Sequence, residues 1–112
     1  MQLDLQPIDP LSQVVFIHDY LQLVFQDRAF TIYNLATYAK SNVSLQQGEP
    51  GFCDALVALI NQSVQVEVSG RLVFRFSDGA VVSVPTTGQG TRGPEAWQFG
   101  EFGGPVVVEQ NA

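Results

Sequence analysis

A chain of 112 residues, 46% apolar and only 14% charged, is the size of one domain and apolar enough to bury a core, which excludes disorder. Eleven acids against five bases leave a net charge of −6, so phosphate backbones and anionic lipid are poor partners and no nucleic acid or membrane role is expected. So little charge also leaves apolar surface to cover, and a homodimer is expected to cover it.

From the N-terminus, "MQLDLQPIDP" lacks the basic start and apolar stretch of a secretion signal. No apolar run approaches the roughly 20 residues needed to span a bilayer, and Cys53 is the only cysteine, so no intrachain disulfide forms. A cytoplasmic address is expected. "DPLSQ" reads as one degenerate helical turn, and "QVVFI" as a β-strand leading through "HDY" into an alternating run. There Leu21, Leu23 and Phe25 mark one face of a second strand, since period two is the signature of a half-buried strand. The run ends at the turn "QDRA", after which Phe30 and Ile32 alternate.

Residues 35–50 are mixed and polar. A helix is expected over about 51–62, because Phe52, Leu56, Leu59 and Ile60 fall on one helical face. Pro50 suits its start, Asp54 its positive first turn and Asn61 its end. Next come "VQVEV", the link "SGR", and alternating Leu72, Phe74 and Phe76. The turn "SDGA" is a type I′ hairpin signal, and Val82 and Val84 follow it. Residues 88–104 are glycine-rich and costly to order, and "GGPVVVEQ" supplies a last strand.

The two alternating runs resemble each other. Leu11–Asn34 laid on Gln62–Pro85 without gaps matches Ser12/Ser63, Val15/Val66, Leu21/Leu72, Phe25/Phe76, Asp27/Asp78 and Ala29/Ala80. The first turn has Arg28 where the second has Gly79, so it needs a different or longer loop. The expected fold is a single α+β domain, mainly β: two repeated three-stranded antiparallel meanders, six to eight strands in all, with one main helix between them.

Candidate chemistry is sparse. "GQGTRG", Gly88–Gly93, matches G-x-G-x-x-G after a strand, but Pro94 follows and too little chain remains for a dinucleotide-binding βαβ unit. His18, the only histidine, sits at a hairpin turn beside Asp19. The pair is a candidate general base, although a solvated turn is the plainer reading. No second histidine is available to build a usual metal site, and no cofactor is expected. Cys53 reads as buried apolar filler near a helix start, with an activated thiol as its alternative. Turn chemistry accounts for Asp27 and Asp78. The sequons at Asn42 and Asn61 matter only for a secreted chain.

"RGPEAWQF" holds the only tryptophan. Trp97 is expected to plug the core, with a partner-binding anchor as its alternative, and Arg92 and Glu95 are the further candidates for outside contact.

"LVFRFSDGAVVSV" and "GPEAWQF", behind a helix ending "LVALINQSV", resemble an uncharacterised family of small bacterial proteins, a domain of unknown function with an L-x-F-x-D-G hairpin and an E-A-W segment. The resemblance spans roughly residues 11–108 and departs at Arg28. It is loosely similar to immunity-type proteins, which act by binding, and it carries no established activity. The expected function is therefore a non-enzymatic binding or interaction protein of a bacterial cytosol. The alternative is a small ligand-binding protein or enzyme with a pocket between the two repeats.

Overall fold

The structure, a computed structural model, describes residues 5–18, 20–88, 90–101 and 106–111. β1 (Gln13–Ile17), β2 (Tyr20–Phe25) and β3 (Arg28–Ile32) form where the alternating pattern places them. Two short strands follow, β4 (Thr37–Lys40) and β5 (Val43–Gln46), in the stretch whose polar sequence suggested no element. After the helix α1 (Phe52–Val57) come β6 (Val64–Val68), β7 (Arg71–Phe76) and β8 (Val81–Pro85). β9 (Glu95–Glu101) and β10 (Val106–Gln110) end the described chain. Among the described residues this makes ten strands, more than the six to eight expected.

The strands form two five-stranded antiparallel sheets. The first runs β1-β2-β3-β9-β10 and the second β5-β4-β8-β7-β6. The connections cross. The hairpin β4–β5 follows β3 in the chain but pairs beside β8, while β9–β10 follows β8 but pairs beside β3. Each sheet therefore holds three strands from one half of the chain and two from the other. Neither half can complete its sheet alone.

The inward faces share one core. Phe30 of β3 meets Phe74 of β7 edge-on at 4.8 Å between ring centroids, and stacks on Phe99 of β9 at 4.3 Å. Leu21, Leu23, Leu72, Val82 and Val84 fill the remainder. Burying each such side chain contributes about 1.5–3 kcal/mol. Side chains thus fill the space between the inward faces of the two sheets.

The helix is shorter than the expected 51–62. Regular α-structure ends at Val57 and turns carry the chain to Asn61, whose φ of 79° lets it stop the run. Phe52, Leu56 and Leu59 are buried as their spacing implies, but Cys53 is exposed on the other side, which overturns its reading as core filler. "DPLSQ" is not helical; Leu11 there donates its N–H to Gln62 O and accepts from Asn61 N–H.

The two turns differ as well. β2 and β3 close through a two-residue loop, Gln26-Asp27, with Gln26 at φ 62°. β7 and β8 close through three residues, Ser77-Asp78-Gly79, with Gly79 at φ 93°. That is the type I turn followed by a left-handed glycine, not the type I′ turn that Asp-Gly suggested. The extra residue shifts the register, so Leu21 opposes Ile32 while Leu72 opposes Val84.

Candidate functional site

At one end of the first sheet the β1–β2 turn, the end of β3 and the start of β9 lie side by side. Here the chain leaves β3 for the other sheet, and the crossover begins at Tyr33-Asn34-Leu35. Asn34 is 1% exposed, so its amide must find partners inside the protein. Its Nδ2 donates to Pro85 O and to Asn111 Oδ1, both at 2.6 Å. Its Oδ1 accepts the Arg92 N–H at 2.8 Å and the Asn111 Nδ2–H at 3.2 Å. All four hydrogen-bonding positions of the amide are used.

That one side chain ties together the two crossovers and the end of the last strand. Asn111 extends the tie by donating Nδ2 to Gly93 O at 2.9 Å and its backbone N–H to Pro94 O at 2.9 Å. On the other side of the crossover, Leu35 donates its N–H to Gly90 O at 2.8 Å. Gly90 has φ 92°, and a Cβ there would stand 3.2 Å from the Pro85 ring, so only glycine sits easily. Residues 90–94 are thus pinned from both flanks.

Above this fixed backbone is a cleft of about 280 Å³ lined by Tyr33, Arg92, Gly93, Pro94 and Glu95. A bulge shapes it. Glu95 and Trp97 oppose the consecutive residues Gln110 and Glu109, so β9 carries Ala96 as an extra residue. Bulges re-aim side chains; here Trp97 enters the core while Glu95 lines the cleft. Burial first, then the Glu95 carboxylate, then Tyr20 raise the Tyr33 phenol above its ordinary value. The Tyr20 and Tyr33 rings are 5.9 Å apart. Tyr33 is therefore neutral at pH 7. The Arg92 guanidinium is exposed and has no ion-pair or hydrogen-bond partner among the described residues.

The structure brings Arg92 and Glu95 to one cleft and places Trp97 beneath it, 2% exposed and 5.9 Å from Phe30. His18 is exposed in the β1–β2 turn at the same end of the sheet, and Asp19 lies outside the described residues. The sequence reading missed Tyr33, Asn34 and Asn111. One signal was available: Asn34 is a polar residue closing an apolar strand run, at the position that aligns with Pro85, where the second run also ends.

The cleft offers a cation, a carboxylate and a neutral phenol on a fixed frame, which suits recognition. Among the described residues no three of His, Cys, Asp and Glu gather as metal ligands, and no helix is long and apolar enough to cross a membrane. Comparison with known families, curated proteins and solved structures finds no family model, protein or structure that matches this chain.

Proposed function

We propose that this chain is a non-enzymatic binding protein whose contact surface is the cleft rim formed by Tyr33, Arg92 and Glu95. One observation carries the reading: the Arg92 main chain is tied to Asn34 and Asn111 while its guanidinium is left unpaired. A preorganised backbone costs less to order on association, and arginine is a favoured interface anchor. The partner is a protein presenting a carboxylate to Arg92 and a cation to Glu95. Neutralisation of a toxin in a bacterial cytosol is one form of this role, and the net charge of −6 suits a basic partner. The chain also self-associates as a homodimer, which covers apolar surface that its few charges leave bare.

We further infer that β1–β5 and β6–β10 are two copies of one unit, each a three-stranded meander followed by a hairpin exchanged into the other sheet. The aligned positions Asn34 and Pro85 touch through a 2.6 Å hydrogen bond, as residues beside a pseudo-twofold axis would. A second reading, a small-ligand protein, draws on a larger cleft of about 480 Å³ whose lining includes Arg71, Thr37 and Gln46.

Affinity capture from native lysate, with mass spectrometry of bound proteins and small molecules, tests the first reading against the second. The expected result is a protein partner retained by wild type, lost with Arg92→Ala, and a variant stability within about 0.5 kcal/mol of wild type. Equal capture by wild type, Arg92→Ala and Glu95→Ala would overturn it. A retained small molecule lost with Arg71→Ala would favour the second reading.

A further inference from the structure

Outward positions at one end of the second sheet line the larger cleft, of about 480 Å³. Tyr38 and Leu72 are buried in the core, so their strand neighbours Thr37 and Arg71 face out. Gln46 lies opposite Thr37, and Pro85 opposite Arg71. The chain segments of the two crossovers supply the remaining wall through Leu35, Thr87 and Gly90.

Hydrogen bonds fix this frame on several sides. Gln47 donates its N–H to Ala36 O at 2.9 Å and accepts the Ala36 N–H on Oε1 at 3.0 Å, which locks the end of the β4–β5 hairpin beside Thr37 and Gln46. Thr86 Oγ1 donates to Gly70 O at 3.1 Å, which holds the chain beyond β8 against the start of β7. The 2.8 Å hydrogen bond from Leu35 N–H to Gly90 O closes the wall.

The side chains inside the frame are unspent. Elsewhere polar groups bond one another: Gln22 to Thr31, Lys40 to Asp78, Arg75 to Glu67 and Ser77 to Gln62. In the cleft the Thr37 hydroxyl, the Gln46 amide, the Arg71 guanidinium and the Thr87 hydroxyl have no hydrogen-bond or ion-pair partner among the described residues. No carboxylate lines the cleft among those residues. Glu49 Oε1 instead accepts the Gln46 N–H at 2.7 Å, and Glu67 is held by Arg75. In a chain of net charge −6, a polar cleft charged by a lone guanidinium reverses the sign locally.

We propose that this cleft binds a small hydroxylated carboxylate, such as a sugar acid. The inference rests on the small-ligand reading above and names its ligand, while the Tyr33–Arg92–Glu95 rim stays with a protein partner. A guanidinium fork pairs with a carboxylate through two parallel N–H···O bonds. Thr37, Thr87 and Gln46 each donate and accept, which matches ligand hydroxyls. One guanidinium balances one negative charge and the acidic chain opposes a second, so a carboxylate monoanion is favoured over a phosphate dianion. Small-molecule sites run about 300–1,000 Å³, and the cleft lies within that range.

NMR titration of the backbone amides and arginine Nε–H groups tests the proposal, with gluconate, its neutral counterpart sorbitol and inorganic phosphate as probes. Gluconate is expected to give saturable shifts at Thr37, Gln46, Arg71, Thr87 and Gly90. Sorbitol should give none, and phosphate should bind more weakly than gluconate. Arg71→Ala should weaken gluconate binding at least about tenfold, and its melting temperature should not move, since Arg71 is exposed. Arg71→Lys, which keeps the charge and loses the fork, should fall between the two. Arg92→Ala should bind gluconate as wild type does, because Arg92 lines the other cleft. No saturable shift with gluconate, or gluconate binding undiminished in Arg71→Ala, would overturn the proposal. Sorbitol or phosphate bound more tightly than gluconate would overturn the carboxylate as ligand and leave the small-ligand reading standing. That reading stands or falls on the capture from lysate.

Discussion

In the first sheet the outward row from Val15 to Val108 is uncharged, whereas the outer face of the second sheet carries Glu67, Arg71 and Arg75. There Arg75 Nε meets Glu67 Oε1 at 2.8 Å, a half-exposed pair of the kind that adds little stability but keeps a sheet face wet. The inward faces are alike, apolar and aromatic on both sides. Architecture has thus constrained the inside of the two sheets equally and left the outsides free to diverge. The crossover ends differ as well: the first sheet's end holds the Tyr33–Arg92–Glu95 cleft over the Asn34 knot, built from both halves of the chain.

The largest expected effect sharpens the contrast within the first sheet. Trp97 should be a core element and Arg92, five residues earlier, should not. Trp97→Ala should cost about 3–5 kcal/mol, the range for deleting a large buried aromatic. Trp97→Phe should cost distinctly less, because the indole Nε1–H is buried with no acceptor among the described residues and its loss removes no hydrogen bond. Chemical denaturation measures both, and a blue-shifted, quencher-resistant emission should accompany the native state. Wild-type-like stability of Trp97→Ala would move Trp97 from the core to the contact surface.

The two hairpin turns give the next pair. Gly79→Ala should destabilise by about 1–2 kcal/mol, since the site is open and the cost is that of holding alanine at φ 93°. Gln26→Gly should stabilise or be neutral, because glycine adopts φ 62° freely, at the expense of a more flexible unfolded chain. Melting temperatures shifting in the same direction for both variants would contradict the turn geometry.

Much of the fold was legible because period-two alternation is a local signal. The limits of β1, β2, β6 and β7 follow "QVVFI", Leu21–Phe25, "VQVEV" and Leu72–Phe76 closely. The exchanged hairpins were not legible. In β4 only Tyr38 is buried, and β5 has four residues, too few to show a period. β9 was hidden by its glycine-rich flanks, although Trp97, Gln98 and Phe99 alternate. Both hairpins are fixed by pairing with a distant strand, which no local pattern records. The gapless alignment also misled at two positions. Val15 and Ala29 face outward, whereas their matches Val66 and Ala80 belong to the core. Of the site, Arg92 and Glu95 were visible as charges beside a tryptophan, but Asn34 matters through its contacts with Pro85, Arg92 and Asn111, which only the crossover brings together.

The smallest effect compares the aspartates of the two turns. Asp78 Oδ1 accepts the Ala80 N–H at 2.9 Å, and Oδ2 pairs with Lys40 at 3.1 Å. The Ala80 hydrogen bond first, and Lys40 after it, hold this carboxyl below its ordinary value of 3.8 against a partial opposing effect of burial. A carboxyl depressed in the folded state adds stability that is fully present above the ordinary value and is lost as pH falls through the lower folded one. Asp78→Asn should therefore cost about 1 kcal/mol at pH 7, with the gap from wild type closing below about pH 4. Asp27→Asn, in the exposed first turn, should stay within about 0.5 kcal/mol at pH 7. An Asp78→Asn gap that persisted undiminished into acid would refute the pairing as its source.

Capture of a protein partner from native lysate by wild type, Arg92→Ala and Ser83→Arg tests the reading of the Tyr33–Arg92–Glu95 cleft most directly, because Ser83 lies on the outer face of the second sheet, away from that cleft. Arg92 lines the cleft with its main chain bonded to Asn34 and Asn111. The account predicts one partner held by wild type and Ser83→Arg and lost with Arg92→Ala, whose denaturation midpoint stays at the wild-type value. Equal capture by all three would contradict it.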